Sequence, residues 1–203
     1  MWDERYKQQE YIYGTDANDF LQQTLKFIKN NDTDKKQVLC IAEGEGRNAV
    51  FLAEQGFDVT AVDLSEVGLQ KAQKLAEQKG VSITTIVANL ADFDFGVAKW
   101  DAIVSIWAHM PADIRQHVHQ QVLSSLKPNG VFILEAYTAE QPKMSGIGGP
   151  PASKPEMFMS LEGLRQELSG LQEIVAVETH RHVMEGKMHQ GDSAVVQFVV
   201  IKN

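Results

Sequence analysis

The sequence predicts an α/β fold: a single-domain, mostly parallel sheet of seven strands, with helices on both faces and an antiparallel hairpin at the C-terminus. Three observations carry this. Short apolar runs alternate with helical patterns from Val38 to Ala136, the pattern of parallel strands joined by crossover helices. The first run ends in a glycine-rich turn, Glu43-Gly44-Glu45-Gly46, that opens at once into a helix. The last two extended runs, 171–184 and 194–201, have a short connection and therefore pair with each other.

Residues 1–35 read as an N-terminal arm and helix, and 36–203 as the core. The arm carries Trp2, Tyr6, Tyr11 and Tyr13 among charges. Such aromatics either pack on the domain or fold over a ligand. Phe20, Leu21, Leu25 and Ile28 fall at helical spacing, which predicts a helix over 19–30, followed by a solvated turn at 30–34. Strand one is Val38–Ile41, and residues 48–55 form a helix stopped by Gly56. Strand two ends at Asp63, after which Ser65 caps a helix to about Lys79. Ile83–Val87 is strand three and Ala102–Ile106 strand four. Residues 112–126 are helical up to the stop Lys127-Pro128-Asn129-Gly130, and Val131–Ala136 is strand five. Prolines and glycines then break the pattern from Tyr137 to Met159, a loop long enough to serve as a lid at the sheet's rim. Ser160 caps a short helix to Leu168 before the hairpin.

The 203 residues suit one domain with a real core, and the net charge of −8 with no Lys/Arg block excludes an electrostatic nucleic-acid footprint. A small-molecule partner is expected. The single cysteine, Cys40, lies in a core strand, so no intrachain disulfide forms. No apolar run reaches the length of a membrane span and the first residues do not read as a signal peptide, so the expectation is a cytoplasmic protein without membrane contact.

Sheets of this kind bind ligands beyond the carboxyl ends of their strands. Those ends hold Ala42–Gly46, Asp63, Asn89, Trp107–Met110 and Ala136–Thr138. Gly44 and Gly46 let the backbone lie close to a ligand at a helix N-terminus, and an acid about twenty residues on suits ribose hydroxyls. Together they point to a nucleoside-containing cofactor. The plainer reading is that the glycines close a turn and Asp63 caps a helix.

In these residues the chain resembles the class I S-adenosylmethionine-dependent methyltransferases, from about residue 36 to 202. Glu43-Gly44-Glu45-Gly46-Arg47-Asn48 looks like their cofactor loop, Asp63 like the ribose acid, and Ala88-Asn89-Leu90 like the segment that holds the adenine edge. The resemblance implies the Rossmann-like strand order 3-2-1-4-5-7-6, S-adenosylmethionine as cofactor, and a site formed by Tyr13, Glu43, Gly44, Gly46, Arg47, Asp63, Leu64, Asn89 and Leu90. More narrowly, Trp2-Asp3-Glu4-Arg5-Tyr6, Tyr13-Gly14, Glu135-Ala136-Tyr137-Thr138 and Glu185-Gly186 with His189 and Gly191 are similar to the tellurite-resistance and thiopurine-type branch. That similarity implies a soft sulfur, selenium or tellurium acceptor. Two positions depart from the family loop: Cys40 replaces its acid and Ala42 its first glycine.

His109, just after strand four, is the candidate for taking a proton from an acceptor, with helix entry or packing as its other reading. His180 and His182 share a sheet face, which suits either solvated positions or a metal, and no metal is assigned. Two other classes stand beside the methyltransferase: a cofactor-binding protein without chemistry, and an NAD(P)-dependent oxidoreductase. The latter lacks the third glycine of its fingerprint, since Arg47 stands there.

Overall fold

In the computed structural model, which describes residues 2–28 and 35–203, a seven-stranded sheet runs β3-β2-β1-β4-β5-β7-β6. The strands are β1 (Gln37–Ile41), β2 (Asp58–Asp63), β3 (Thr84–Val87), β4 (Trp100–Ile106), β5 (Leu126–Tyr137), β6 (Gln172–Met184) and β7 (Gln190–Ile201). The first five pair in parallel, while β7 runs antiparallel between β5 and β6. This is the expected class and strand order.

The helices are α1 (Trp2–Tyr6), α2 (Asp19–Thr24), α3 (Arg47–Glu54), α4 (Glu66–Gln78), α5 (Ala112–Ser125) and α6 (Leu161–Glu167). Both sheet faces are covered, and β1 shows how: Val38 and Cys40 enter one core with Leu21, Leu52 and Leu69, while Leu39 and Ile41 enter the other with Val118, Val122 and Leu164. Alternation along a strand sends successive side chains to opposite faces, so a strand buried on both must be apolar throughout.

The boundaries of α2, β5 and β7 differ from the sequence reading. Helix α2 stops at Thr24 and tightens into a 3₁₀ turn, Leu25–Phe27; positions 29–34, where the longer helix and its turn were expected, lie outside the described residues. Strand β5 begins at Leu126, which pairs with Trp100; the Lys127–Gly130 turn is an irregularity inside the strand, and register resumes at Ala102 opposite Val131. Asn129 takes a φ of 62° there, a conformation its short polar side chain tolerates. Strand β7 begins at Gln190 rather than 194, because Val183 and Met184 of β6 supply partners to Gly191 and Gln190.

The segment after β5 is tied down along its length. It carries two 3₁₀ turns, Gln141–Lys143 and Pro155–Met157, and Ile147 forms a bridge with Gln190. Gly146 N–H donates to the Asp192 carbonyl, and Met159 N–H to that of Tyr137. A Cβ at Gly148 would collide with the Tyr137 phenol, so this glycine permits close packing.

Candidate active site

The loop between β1 and α3 makes its turn with three left-handed residues: Ala42 at φ 51°, Gly44 at 62° and Gly46 at 90°. Ala42 thus adopts the geometry of a glycine and bears its strain. Glu43 does not face outward. Its Oε1 accepts the N–H groups of Asn48 (3.0 Å) and Ala49 (2.8 Å), closing the N-terminus of α3. Burial nevertheless pushes its carboxyl up to about 7, against the pull of those amides and of Arg47. Gly46 precedes α3 and lies against Ala72 of α4.

Asp63, at the tip of β2, is 7% exposed. Its Oδ2 accepts from Gly44 N–H and its Oδ1 from Ser65 N–H, both at 2.8 Å. Each oxygen keeps a lone pair for a further donor. Burial raises its pKa, opposed by those amides. Leu64, next to it, is 56% exposed, an apolar surface at the site's edge. The neighbouring strand end follows through Ala88 N–H, which donates to the Asp63 carbonyl. Asn89 turns its Oδ1 to Ala91 N–H (3.1 Å), Leu90 buries its side chain in the core, and the Leu90 N–H has no partner among the described residues.

The N-terminal arm lies over this loop. Lys71 of α4 forms an ion pair with the buried Glu45 and donates to the carbonyls of Tyr6 (3.4 Å), Gln8 (3.0 Å) and Glu10 (2.7 Å). Tyr13 N–H donates to Glu45 Oε2 (3.1 Å), and the Tyr13 hydroxyl accepts from Arg5 (2.9 Å). Beyond Tyr13 the arm reaches the hairpin tip, where Lys187 N–H donates to the Ile12 carbonyl. The pairing of Glu45 with Lys71 was not visible in the sequence, since nothing local marks a partner 26 residues away.

On the other side of the loop stands an aromatic cluster. The Trp107 ring stacks on Tyr137 at 4.3 Å between centroids and on His189 at 5.1 Å, while Tyr13 lies 4.9 Å from His189 and 6.1 Å from Tyr6. Trp107 itself is left-handed at φ 57°, a genuine outlier for a bulky residue, at the end of β4. Beneath it lies a buried charge network. Arg47 pairs with Glu185 (2.5 Å) and also donates to the Asp16 carbonyl. Arg181 bridges Glu185 and Glu135, Asn18 Nδ2 donates to both carboxylates, and Trp107 Nε1 donates to Glu185. Burial disfavours the Glu185 charge, but Arg47, with Trp107 and Arg181, holds its pKa down at about 2. Arg47, expected at the cofactor, is therefore spent on joining α3 to the hairpin.

His109 has both ring nitrogens engaged: Nδ1 donates to the Met157 carbonyl (2.9 Å) and Nε2 accepts from Tyr137 N–H (3.0 Å). Burial lowers its pKa to about 4, so the ring is neutral. His180 and His182 are exposed and pair with Glu140 and Asp192.

Residues 38–130 match the family described as a methyltransferase domain. The chain is 34% identical over 98 residues to the uncharacterized methyltransferase YbaJ of Bacillus subtilis, covering 48% of this chain and 38% of that protein. It is 32% identical over 137 residues to the tRNA 5-carboxymethoxyuridine methyltransferase of Escherichia coli, covering 63% and 52%. A SAM-dependent methyltransferase from Methanosarcina mazei superposes with a TM-score of 0.64 at 15% identity, over 92% of this chain and 98% of that one, a likeness of fold alone. The family match spans β1 to the turn inside β5, the stretch that holds the Gly44 loop, Asp63 and Asn89. The chain spans about half or less of the length of the two sequence relatives.

The methyltransferase-domain match implies S-adenosylmethionine as cofactor, and residues at the rim of the sheet fit it. Asp63 has lone pairs for ribose hydroxyls, Leu64 an apolar face beside them, and Leu90 an unspent N–H at the adjoining strand end. The electron-rich faces of Tyr6, Tyr13 and Trp107 suit a cation.

Proposed function

We propose that this protein transfers the methyl group of S-adenosylmethionine to a small-molecule acceptor, with the ribose at Asp63, the adenine edge at Asn89 and Leu90, and the acceptor beside Trp107. The observation that carries this is the convergence of the Gly44 loop, the Asp63 carboxylate and the aromatic cluster on one rim of the sheet. When bound, the cofactor supplies an already activated electrophilic methyl group. The chain's own task is then alignment and exclusion of water. Lys71 and Glu45 hold the arm across the loop, and the arm carries Tyr6 and Tyr13 to the site. His109 holds the neighbouring backbone in place and, having no free nitrogen, takes no proton.

The relative acting on tRNA raises a nucleic-acid acceptor, but the net charge of −8 without a basic run opposes it. The arm and hairpin residues that resemble the tellurite and thiopurine branch support a soft nucleophile. Calorimetry with S-adenosylhomocysteine tests the cofactor site. Asp63→Ala should weaken binding by about 1.5–3 kcal/mol, the range for hydrogen bonds to a charged group. Unchanged affinity, or a preference for NAD, would overturn the reading. Turnover across thiol, selenol and phenol acceptors separates an enzyme from a protein that only binds the cofactor.

A further inference from the structure

We propose that His189 holds the methyl acceptor through its Nε2–H, and that the acceptor reaches this site as a deprotonated, hydrogen-bond-accepting atom. This rests on the methyl-transfer reading above and adds to it a positioning residue and a charge state. The sequence placed His189 only within the hairpin pattern Glu185-Gly186 with His189 and Gly191, with no role assigned to its ring. The structure buries its ring to 9% exposure between Trp107, Tyr137 and Tyr13.

The proton can be placed by accounting for donors. His189 Nδ1 lies 2.8 Å from the Tyr137 hydroxyl. Tyr137 is fully buried, and its hydroxyl has no other partner among the described residues. Burial raises the phenol's pKa, so the proton stays on oxygen, and a buried O–H needs an acceptor. The acceptor is Nδ1. In a neutral imidazole the other nitrogen then carries the hydrogen. That Nε2–H has no partner among the described residues, in a ring walled by aromatic faces.

The ionisable groups facing the ring are Arg47 from α3, Glu185 from the hairpin, His109 from the end of β4 and Arg5 from the arm. Burial first, then Arg47, holds the ring's pKa at about 3, so it stays neutral through the physiological range. Glu185 is itself paired with Arg47 and Arg181 and leaves no excess negative charge to repel an anion. With its lone pair directed at Tyr137, His189 can donate to the acceptor but not take its proton. The acceptor must therefore arrive without one. Its lone pair forms the bond to the methyl carbon as the carbon–sulfur bond breaks, leaving a neutral thioether. Anion and sulfonium cancel, and no proton needs removing.

The test uses the full chain saturated with S-adenosylhomocysteine and 4-nitrophenolate as an anionic probe, whose absorbance responds to a donated hydrogen bond. Nitrogen-15 NMR of the wild type should show the His189 proton on Nε2, and probe binding should shift that nitrogen. His189→Gln, whose amide nitrogen replaces Nε2, should bind the probe within about threefold of wild type. His189→Asn, whose amide reaches Tyr137 but not the acceptor, should bind at least tenfold more weakly. A proton on Nδ1, no probe binding by the wild type, or equal binding by His189→Asn would overturn the proposal. Failure of the wild type to bind S-adenosylhomocysteine would overturn the methyl-transfer reading along with it.

Discussion

Tyr6 rests on Gly44 so closely that a Cβ at position 44 would lie 2.6 Å from the phenol oxygen. The N-terminal arm and the Gly44 loop are thus fitted to each other with no room for a methyl group. Gly44 also sits at φ 62°, where an L side chain adds strain. Gly44→Ala should cost about 1–3 kcal/mol of stability and reduce S-adenosylhomocysteine affinity at least tenfold, read by thermal melts and calorimetry. Gly46→Ala, whose Cβ would meet the Ala72 backbone and side chain, should lower the melting temperature further. An alanine at 44 that binds normally would show that the arm moves away in solution.

Lys71 gathers three arm carbonyls and the buried Glu45. Lys71→Met leaves Glu45 buried with only the Tyr13 amide, and removing one partner of a buried pair costs about 3–5 kcal/mol. Limited proteolysis should then cut within residues 7–14 faster than in the wild type. Adding Glu45→Gln should restore part of the loss, and a double-mutant cycle in denaturant measures the coupling. Additive losses would dissolve the claim that these two residues act as one clasp.

Glu43 gives a pH dependence with a definite sign. Its folded pKa of about 7 exceeds the ordinary value of 4.5, so between these limits the folded protein holds a proton that the unfolded chain has released. That contribution is fully present below 4.5 and is lost as pH rises through about 7. Glu43→Gln keeps an acceptor for the Asn48 and Ala49 amides and removes the titration. The variant should gain stability relative to wild type between pH 5 and 7.5. Parallel stability curves for the two proteins would show that Glu43 is ionised throughout.

The sheet order and the rim residues were legible because apolar periodicity, glycines and caps act over short stretches of sequence. Ser65 shows this: its hydroxyl accepts from Gly68 N–H, as its place before a helix predicts. What the sequence hid depends on partners far along the chain. Arg47 reads as a loop residue until Glu185, 138 positions later, is brought beneath it. His189 reads as a polar hairpin residue until Tyr137 and Trp107 close around it. The Leu126 boundary was missed because Pro128 and Gly130 mark a break in the chain but not whether a strand resumes on both sides of it. The glycines at 146 and 148 looked like hinges, yet they permit close backbone packing against Asp192 and Tyr137.

His109 pins the segment that follows β5. Its Nδ1 holds Met157 and its Nε2 holds the Tyr137 amide, so one neutral ring joins the two ends of a twenty-residue excursion. His109→Phe keeps the ring volume and removes both bonds. The Tyr137 N–H is then left buried without an acceptor, a cost of about 1–3 kcal/mol. Hydrogen exchange should accelerate at Tyr137 and across 155–159, while the bridge of Ile147 to Gln190 stays protected. Residual methyl transfer by the variant should keep the wild-type pH profile, because a group with a pKa near 4 and no free nitrogen contributes no titration near neutrality. A lost acidic limb in that profile, with exchange unchanged, would make His109 a proton acceptor rather than a pin.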